Sequence, residues 1–147
     1  ADMIEKQERK KSELMNKVKK LKSEKELLEM IHKNILIDGG DKLKIWLVNG
    51  ELVRDKFCVE YFGGGHDKVY HFIPEGEVWI DDHLSTKERK FIILHELHER
   101  TLMARGHHYR KAHLSATEVE DLCRHHPSKL NGAIETELKK LQCQDTP

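Results

Sequence analysis

Four side chains with metal-binding or proton-accepting groups occupy five consecutive positions, His95-Glu96-Leu97-His98-Glu99. The residues around them are mostly apolar, so a helix over residues 91–105 is predicted to be largely buried. Burying an imidazole or a carboxylate is costly unless the group is paired or bound to a metal. Side chains four positions apart share one face of a helix, so His95 and Glu99 point the same way. The spacing therefore predicts a divalent metal site on this helix.

A complete site needs a further ligand, and the rest of the chain offers several. His113 and Glu120 lie seven positions apart on the next predicted helix and share one face of it, and His113 is the preferred third ligand. Glu120 is a weaker candidate. His66, which follows the triple glycine of residues 63–65, is another, because such a loop can bring a side chain close to a site.

Two other interpretations of the same helix remain open. In an alternative register, His95 and His98 bind the metal at three-residue spacing and Glu99 only orients them. In the other, no metal is bound: the histidines are hydrogen-bonded structural residues, and Glu99 and Arg100 form ordinary ion pairs.

The pattern His95-Glu96-x-x-Glu99, preceded by the apolar run Phe91-Ile92-Ile93-Leu94, resembles the metal-binding helix of zincin-type metallopeptidases. The resemblance covers residues 91–99, and Glu99 stands where that family has its second histidine. It implies that zinc activates a water molecule and that Glu96 takes the proton of this water as general base. It also implies a third ligand from a downstream helix, which fits His113.

The leading hypothesis is therefore a zinc-dependent hydrolase, peptidase-like, with Glu96 as its catalytic residue. Zinc is preferred to iron or manganese because nitrogen ligands mix with carboxylate, although a histidine with two carboxylates also suits iron. The alternative is a non-catalytic interaction module whose metal, or polar cluster, is structural. A closed site with four protein ligands, for instance His95, Glu99, His113 and Glu120, favours that alternative.

Composition argues against several other classes of protein. The 147 residues carry 26 basic and 26 acidic side chains, so the chain lacks the net positive charge that attracts nucleic acid. Residues 1–33 are nevertheless locally basic. The three cysteines form no CxxC pattern, which fits a reducing compartment. No segment resembles a signal peptide or a membrane span, so the protein is expected to be cytoplasmic and not to bind membranes.

The chain is predicted to divide into a helical arm, residues 1–37, and a compact α+β domain, residues 38–147, that holds the metal site. Residues 2–33 lack glycine and proline and are rich in helix formers, and Leu14, Leu21 and Leu28 recur every seven positions. This narrow apolar edge suits self-association as a coiled coil, binding of a partner helix, or packing on the arm's own domain.

Within the second segment, short apolar runs predict a small antiparallel sheet followed by two to three helices. The predicted strands are residues 43–48, 51–53, 57–62, 69–73 and 78–80. Asn49-Gly50 between the first two predicts a hairpin turn. Ser85 and Glu88 form a capping box that predicts a helix start, and Gly106 is suited to the end of that helix. Further helices are predicted over residues 109–125 and 128–141.

Overall fold

A computed structural model describes residues 4–9 and 24–143 of the chain. It falls into two compact units, residues 1–32 and 33–147. In the first unit, residues 4–9 and 24–31 are helical, while Leu14 and Leu21 lie outside the described residues. The long arm is not borne out as predicted, because the chain changes from helix to strand at His32, within the predicted arm. The domain boundary at residues 37/38 stays a prediction.

The sheet has four strands, and they are arranged in the order β1-β2-β4-β3. The strands are β1 His32–Asp38, β2 Lys44–Val48, β3 Gly64–His66 and β4 Glu77–Asp81. β2 and β4 are parallel, with Trp46 opposite Trp79, whereas β3 and β4 are antiparallel. The α+β class is confirmed, but the sheet is mixed and the prediction of an antiparallel sheet was wrong.

The prediction of an antiparallel sheet first fails at Asn49, which caps a helix instead of forming a hairpin turn. Its side chain accepts a hydrogen bond from the Leu52 N–H at 3.1 Å, and helix α1, Gly50–Lys56, follows directly. Asparagine suits both a tight turn and a helix N-terminus, so its local sequence does not discriminate between them. The helix carries the chain away from β2, and the later strand that pairs with β2 is β4, which runs parallel to it.

Residues 57–62 and 69–73, also predicted as strands, form turns. Their backbone hydrogen bonds are local, as between the Tyr61 N–H and the Cys58 carbonyl oxygen at 3.1 Å. Their aromatic side chains pack on one another instead of alternating across a sheet: the Phe57 and Phe72 rings stack with centroids 4.9 Å apart. Aromatic residues favour strands because their side chains pack well on a half-buried surface. Here the turns provide such a surface, so the aromatic residues do not need a strand.

Three helices follow the sheet, as predicted. They are α2 Thr86–Ala104, α3 Tyr109–His125 and α4 Leu130–Cys143, the last preceded by a short 3-10 turn, Pro127–Lys129. The Ser85 hydroxyl accepts a hydrogen bond from the Glu88 N–H and so caps α2. Gly106 has a φ of +97°, a conformation that glycine adopts without the steric cost of a side chain. The cap at the start of α2 and the glycine just beyond its end are therefore confirmed.

α2 lies at the centre of the domain, between β3 and β4 on one side and α3 and α4 on the other. Its apolar side chains join one core with residues of the sheet and the last helices. The core consists of Leu43, Ile45, Val78, Ile80, Phe91, Ile93, Leu94, Leu97, Cys123, Leu130, Ile134 and Leu141. Each fully buried Leu or Ile contributes roughly 1.5–3 kcal/mol of transfer free energy, so α2 is firmly held. Over the described residues, each helix is too short or too polar to cross a bilayer.

Candidate metal centre

Two imidazole nitrogens and one carboxylate oxygen converge where α2 faces α3. On α2, His95 Nε2 lies 3.2 Å from Glu99 Oε2, one helical turn away. From α3, His113 Nδ1 lies 2.8 Å from the same oxygen and 3.3 Å from His95 Nε2. The three residues predicted as metal ligands are therefore brought together at one point.

The separations of these three atoms suit a single small cation. With bonds of about 2.0–2.1 Å to nitrogen and oxygen, adjacent ligands of tetrahedral zinc lie about 3.3 Å apart. Two of the three separations are close to this value, and the contact from His113 to Glu99 is shorter. An ion at the centre would need only a small outward movement of the exposed His113 side chain.

Glu120 determines which nitrogen of His95 carries the ring proton. His95 Nδ1 lies 2.9 Å from Glu120 Oε1, and an ionised carboxylate only accepts, so Nδ1–H donates to it. In a neutral ring, His95 Nε2 then presents a lone pair to the Glu99 oxygen 3.2 Å away. Two acceptors at that distance repel each other. An additional proton on His95 relieves this repulsion, and so does a bound cation, because protons compete with metals for such ligands.

Glu120 is itself held by an arginine, and its oxygens do not join the convergent atoms. Arg124 donates to Glu120 Oε2 from Nε at 2.7 Å and to both oxygens of Glu88, at 3.0 and 2.8 Å. A chain of charged contacts thus runs from Glu88 through Arg124 and Glu120 to His95. Carboxylates that bind the second nitrogen of a ligating histidine typically fix its orientation. Sequence reasoning placed Glu120 near the site but missed Arg124 and Glu88.

His66 also reaches the site, from β3, but it contacts the other oxygen of Glu99. Its Nε2 lies 2.9 Å from Glu99 Oε1 and 3.9 Å from Glu96 Oε2, and the residue is fully buried. Its Nδ1 accepts a hydrogen bond from the Lys68 N–H at 3.2 Å. His66, Glu96 and Glu99 form a second group of potential ligands next to the first.

His98 points away from the convergent atoms. Its Nδ1 lies 2.8 Å from Glu137 Oε1 on α4, and its Nε2 lies 2.8 Å from the Ser115 hydroxyl on α3. The structure thus places His98 in the packing between helices and not with His95.

The pKa values of Glu96 and Glu99, two carboxyl groups of α2, are displaced in opposite directions. Burial, followed by the charge of Glu99, raises the pKa of Glu96 to about 8. Burial also acts to raise the pKa of Glu99, but hydrogen bonds from His66, His95 and His113 outweigh it and lower that pKa to about 2. Burial lowers the pKa of His95, yet the hydrogen bond to Glu99 and nearby carboxylates raise it overall. The centre therefore favours positive charge beside Glu99.

A cavity of about 410 Å³ opens onto the cluster. His95, Glu96, Glu99 and His113 form part of its wall; the other lining residues are Phe62, Gly63, Gly64, Gly65, Val69, Tyr70, Leu84, Glu88, Ile92, Tyr109, Glu120 and Arg124. Sequence reasoning did not single out the aromatic members, Phe62, Tyr70 and Tyr109. They come from loops and a helix end whose approach only the fold decides.

Gly64 explains how β3 comes so close to the centre. A Cβ atom at this position would lie 2.7 Å from Ile92 Cγ2 and 3.3 Å from Glu96 Cγ. Real side chains do not tolerate the first distance, so the strand lies directly on α2 only because residue 64 is glycine. This contact sets the wall of the cavity beside Glu96.

Asp81, Asp82 and His83 form another group with ligating atoms close together. Their geometry is explained without a metal. Asp81, which is buried, accepts a hydrogen bond from Arg54 Nη1 at 2.6 Å, and Asp82 accepts one from Lys33 Nζ at 3.0 Å. Each carboxylate has a cationic partner, and the cluster connects α1 and β4.

Comparison of the chain with protein-family models, with curated proteins and with solved structures gave no match.

Proposed function

We propose that the protein is a metal-dependent hydrolase whose His95, Glu99 and His113 bind one divalent ion, with zinc preferred to iron or manganese. The observation that carries the proposal is the convergence of His95 Nε2, His113 Nδ1 and Glu99 Oε2 within 3.3 Å of one another. The orientation of His95 by Glu120 adds to it, because this contact leaves Nε2 free to bind an ion.

Glu96 is the proposed general base. A bound dication lowers the pKa of a coordinated water toward about 7. Glu96 follows His95 directly on α2 and lines the same cavity as the three ligands. A bound cation would also favour the ionised form of Glu96, whose carboxylate would take the proton of the attacking water and pass it to the leaving group as the bond between that group and the carbonyl carbon breaks.

The surroundings of the ligands support an open centre over a closed structural one. Structural zinc sites have four protein ligands, whereas catalytic sites leave a position for water. Glu120, the sequence-predicted candidate for a fourth ligand, instead contacts His95 Nδ1 and Arg124. All three proposed ligands line one cavity, whose volume lies within the roughly 300–1,000 Å³ typical of small-molecule sites.

Peptide or amide bonds are the proposed substrates. β3 is the outermost strand of the sheet on the side of the cavity, and Gly63, Gly64 and Gly65 line the cavity. The backbone of an edge strand pairs readily with an extended peptide. Phe62, whose side chain is largely exposed at the same wall, offers apolar surface to a neighbouring side chain of the substrate.

The test combines metal analysis with substitution of Glu96. Protein purified without a histidine tag is expected to hold about one zinc per chain, and His95→Ala to lose it. Glu96→Gln should retain the zinc and lower hydrolysis of a peptide panel by about 10²–10⁴-fold, the usual contribution of a general base. Glu118→Gln, an exposed position on α3, is the matched control. Unchanged turnover in Glu96→Gln would remove Glu96 from the mechanism, and absence of bound metal would refute the centre itself.

A further inference from the structure

We propose that His66 is a positioning residue that keeps Glu99 bound to the metal through one oxygen only, so that the centre takes a single ion and retains an open position. This inference rests on the proposed function, because it assigns His66 a role at the same centre. It differs from the sequence-based expectation, in which His66 was itself a candidate ligand.

The contacts of His66 determine where its ring proton lies. Nδ1 faces the Lys68 backbone N–H at 3.2 Å, and a backbone N–H can only donate, so Nδ1 accepts. The proton of the neutral ring is therefore on Nε2. Nε2 lies 2.9 Å from Glu99 Oε1, so Nε2–H donates to this oxygen.

The two oxygens of Glu99 therefore contact different partners. Oε1 accepts from His66, and Oε2 faces His95 Nε2 and His113 Nδ1. Hydrogen bonds to an ionised carboxylate are among the stronger ones in proteins, and this one is fully buried. Without it, Oε1 would be free to turn toward the ion, and Glu99 would occupy the position that a water or a substrate needs.

A two-ion centre is the competing arrangement, with Glu99 bridging the ions. His66, Glu96 and Glu99 offer ligand atoms within 4.8 Å of one another, which is close enough for a second ion. For His66 to bind it, Nε2 would have to present a lone pair and the ring proton would move to Nδ1. Nδ1–H would then point at the Lys68 N–H, two donors at 3.2 Å. The contact with Lys68 therefore favours one ion.

β3 holds His66 rigidly in this role. The residue pairs with Val78 of β4 in antiparallel register and is completely buried. The preceding Gly64 lets the strand lie directly on α2. The ring thus reaches Glu99 from a third element, because His95 and Glu99 lie on α2 and His113 lies on α3.

Two polar substitutions separate the two contacts of His66. In His66→Asn, the amide oxygen can accept from the Lys68 N–H, but the shorter side chain cannot reach Glu99. In His66→Gln, the amide nitrogen occupies the place of Nε2 and can still donate to Glu99. His98→Asn is the matched control, because it removes a histidine that is paired with a buried carboxylate, Glu137, outside the centre.

The readout is the visible spectrum and stoichiometry of the cobalt(II)-loaded proteins, with zinc affinity measured by competition against a chelator. Wild type, His66→Gln and His98→Asn should bind one cobalt per chain with the intense absorption of a four-coordinate ion. His66→Asn should show a several-fold weaker band, as Glu99 becomes bidentate, and about 10–100-fold weaker zinc binding.

Each other outcome overturns the inference in a recognisable way. An unchanged spectrum and affinity in His66→Asn, with metal and hydrolysis present in the wild type, would remove His66 from the centre and leave the proposed function standing. Two ions in the wild type and one in His66→Asn would assign His66 as a ligand. A wild type that binds no cobalt would refute both proposals together.

Discussion

Replacing Glu96 by glutamine should stabilise the metal-free protein, and the gain should grow with pH. In the folded chain, burial and the Glu99 carboxylate raise the pKa of Glu96 from an ordinary 4.5 to about 8. Below pH 4.5 the group is protonated in both the folded and the unfolded state and contributes nothing. Between pH 4.5 and 8 only the unfolded chain releases the proton, so the free energy of unfolding of the wild type falls as pH rises.

The size of the effect follows from the separation of these two values. The two pKa values of Glu96 differ by about 3.5 pH units, and each unit corresponds to about 1.36 kcal/mol. Near pH 8 the ionisable carboxyl group therefore lowers the free energy of unfolding by about 4–5 kcal/mol. Glutamine has the same shape and does not ionise, so the free energy of unfolding of Glu96→Gln does not fall in this way. The stability difference between variant and wild type should therefore increase by a few kcal/mol from pH 5 to pH 8.

Urea unfolding followed by circular dichroism, with a chelator present, measures this difference at several pH values. Glu118→Gln, which changes an exposed carboxylate, controls for the general effect of removing one negative charge. Saturating zinc should reduce the dependence on pH, because a dication beside Glu96 favours its ionised form. Parallel stability curves for wild type and Glu96→Gln between pH 5 and 8 in the chelator would refute the electrostatic account of the centre.

Two further predictions concern the support of the centre. Glu120→Gln removes the carboxylate that orients His95 and should weaken zinc binding by about 10–100-fold while the fold is retained; unchanged affinity in a chelator competition would contradict this. Gly64→Ala places a methyl group 2.7 Å from Ile92 Cγ2 and should lower the free energy of unfolding by about 1–3 kcal/mol. Gly132→Ala, on α4 with open space around the added carbon, should raise it by about 0.5–1 kcal/mol, and equal effects of the two substitutions would refute the packing argument.

Features that depend on neighbouring residues could be predicted from the sequence. The capping of α2 by Ser85, the glycine just beyond its end and the extent of α3 over Tyr109–His125 all follow from side chains within a few positions of each other. The shared face of His95 and Glu99 follows from the helical repeat alone. These interactions are local, so the sequence pattern contains the information that determines them.

Features that depend on distant segments could not be predicted in the same way. Asn49 suits a turn as well as a helix cap. A turn would have given β2 an antiparallel hairpin partner, whereas the helix leaves β2 to pair in parallel with β4. The approach of His66 to Glu99 depends on β3 lying against α2, across 33 positions of sequence. Likewise, the link between Arg124 and Glu88 spans 36 positions and depends on how α3 packs on α2.

The sequence by itself therefore determined which side chains are able to bind a metal and which two of them share a helix face. Only the tertiary structure decided which other groups meet them, what each nitrogen and oxygen contacts, and where a cavity opens. The physical reason is that helix geometry repeats within a few residues, whereas contacts between elements depend on the packing of the whole core.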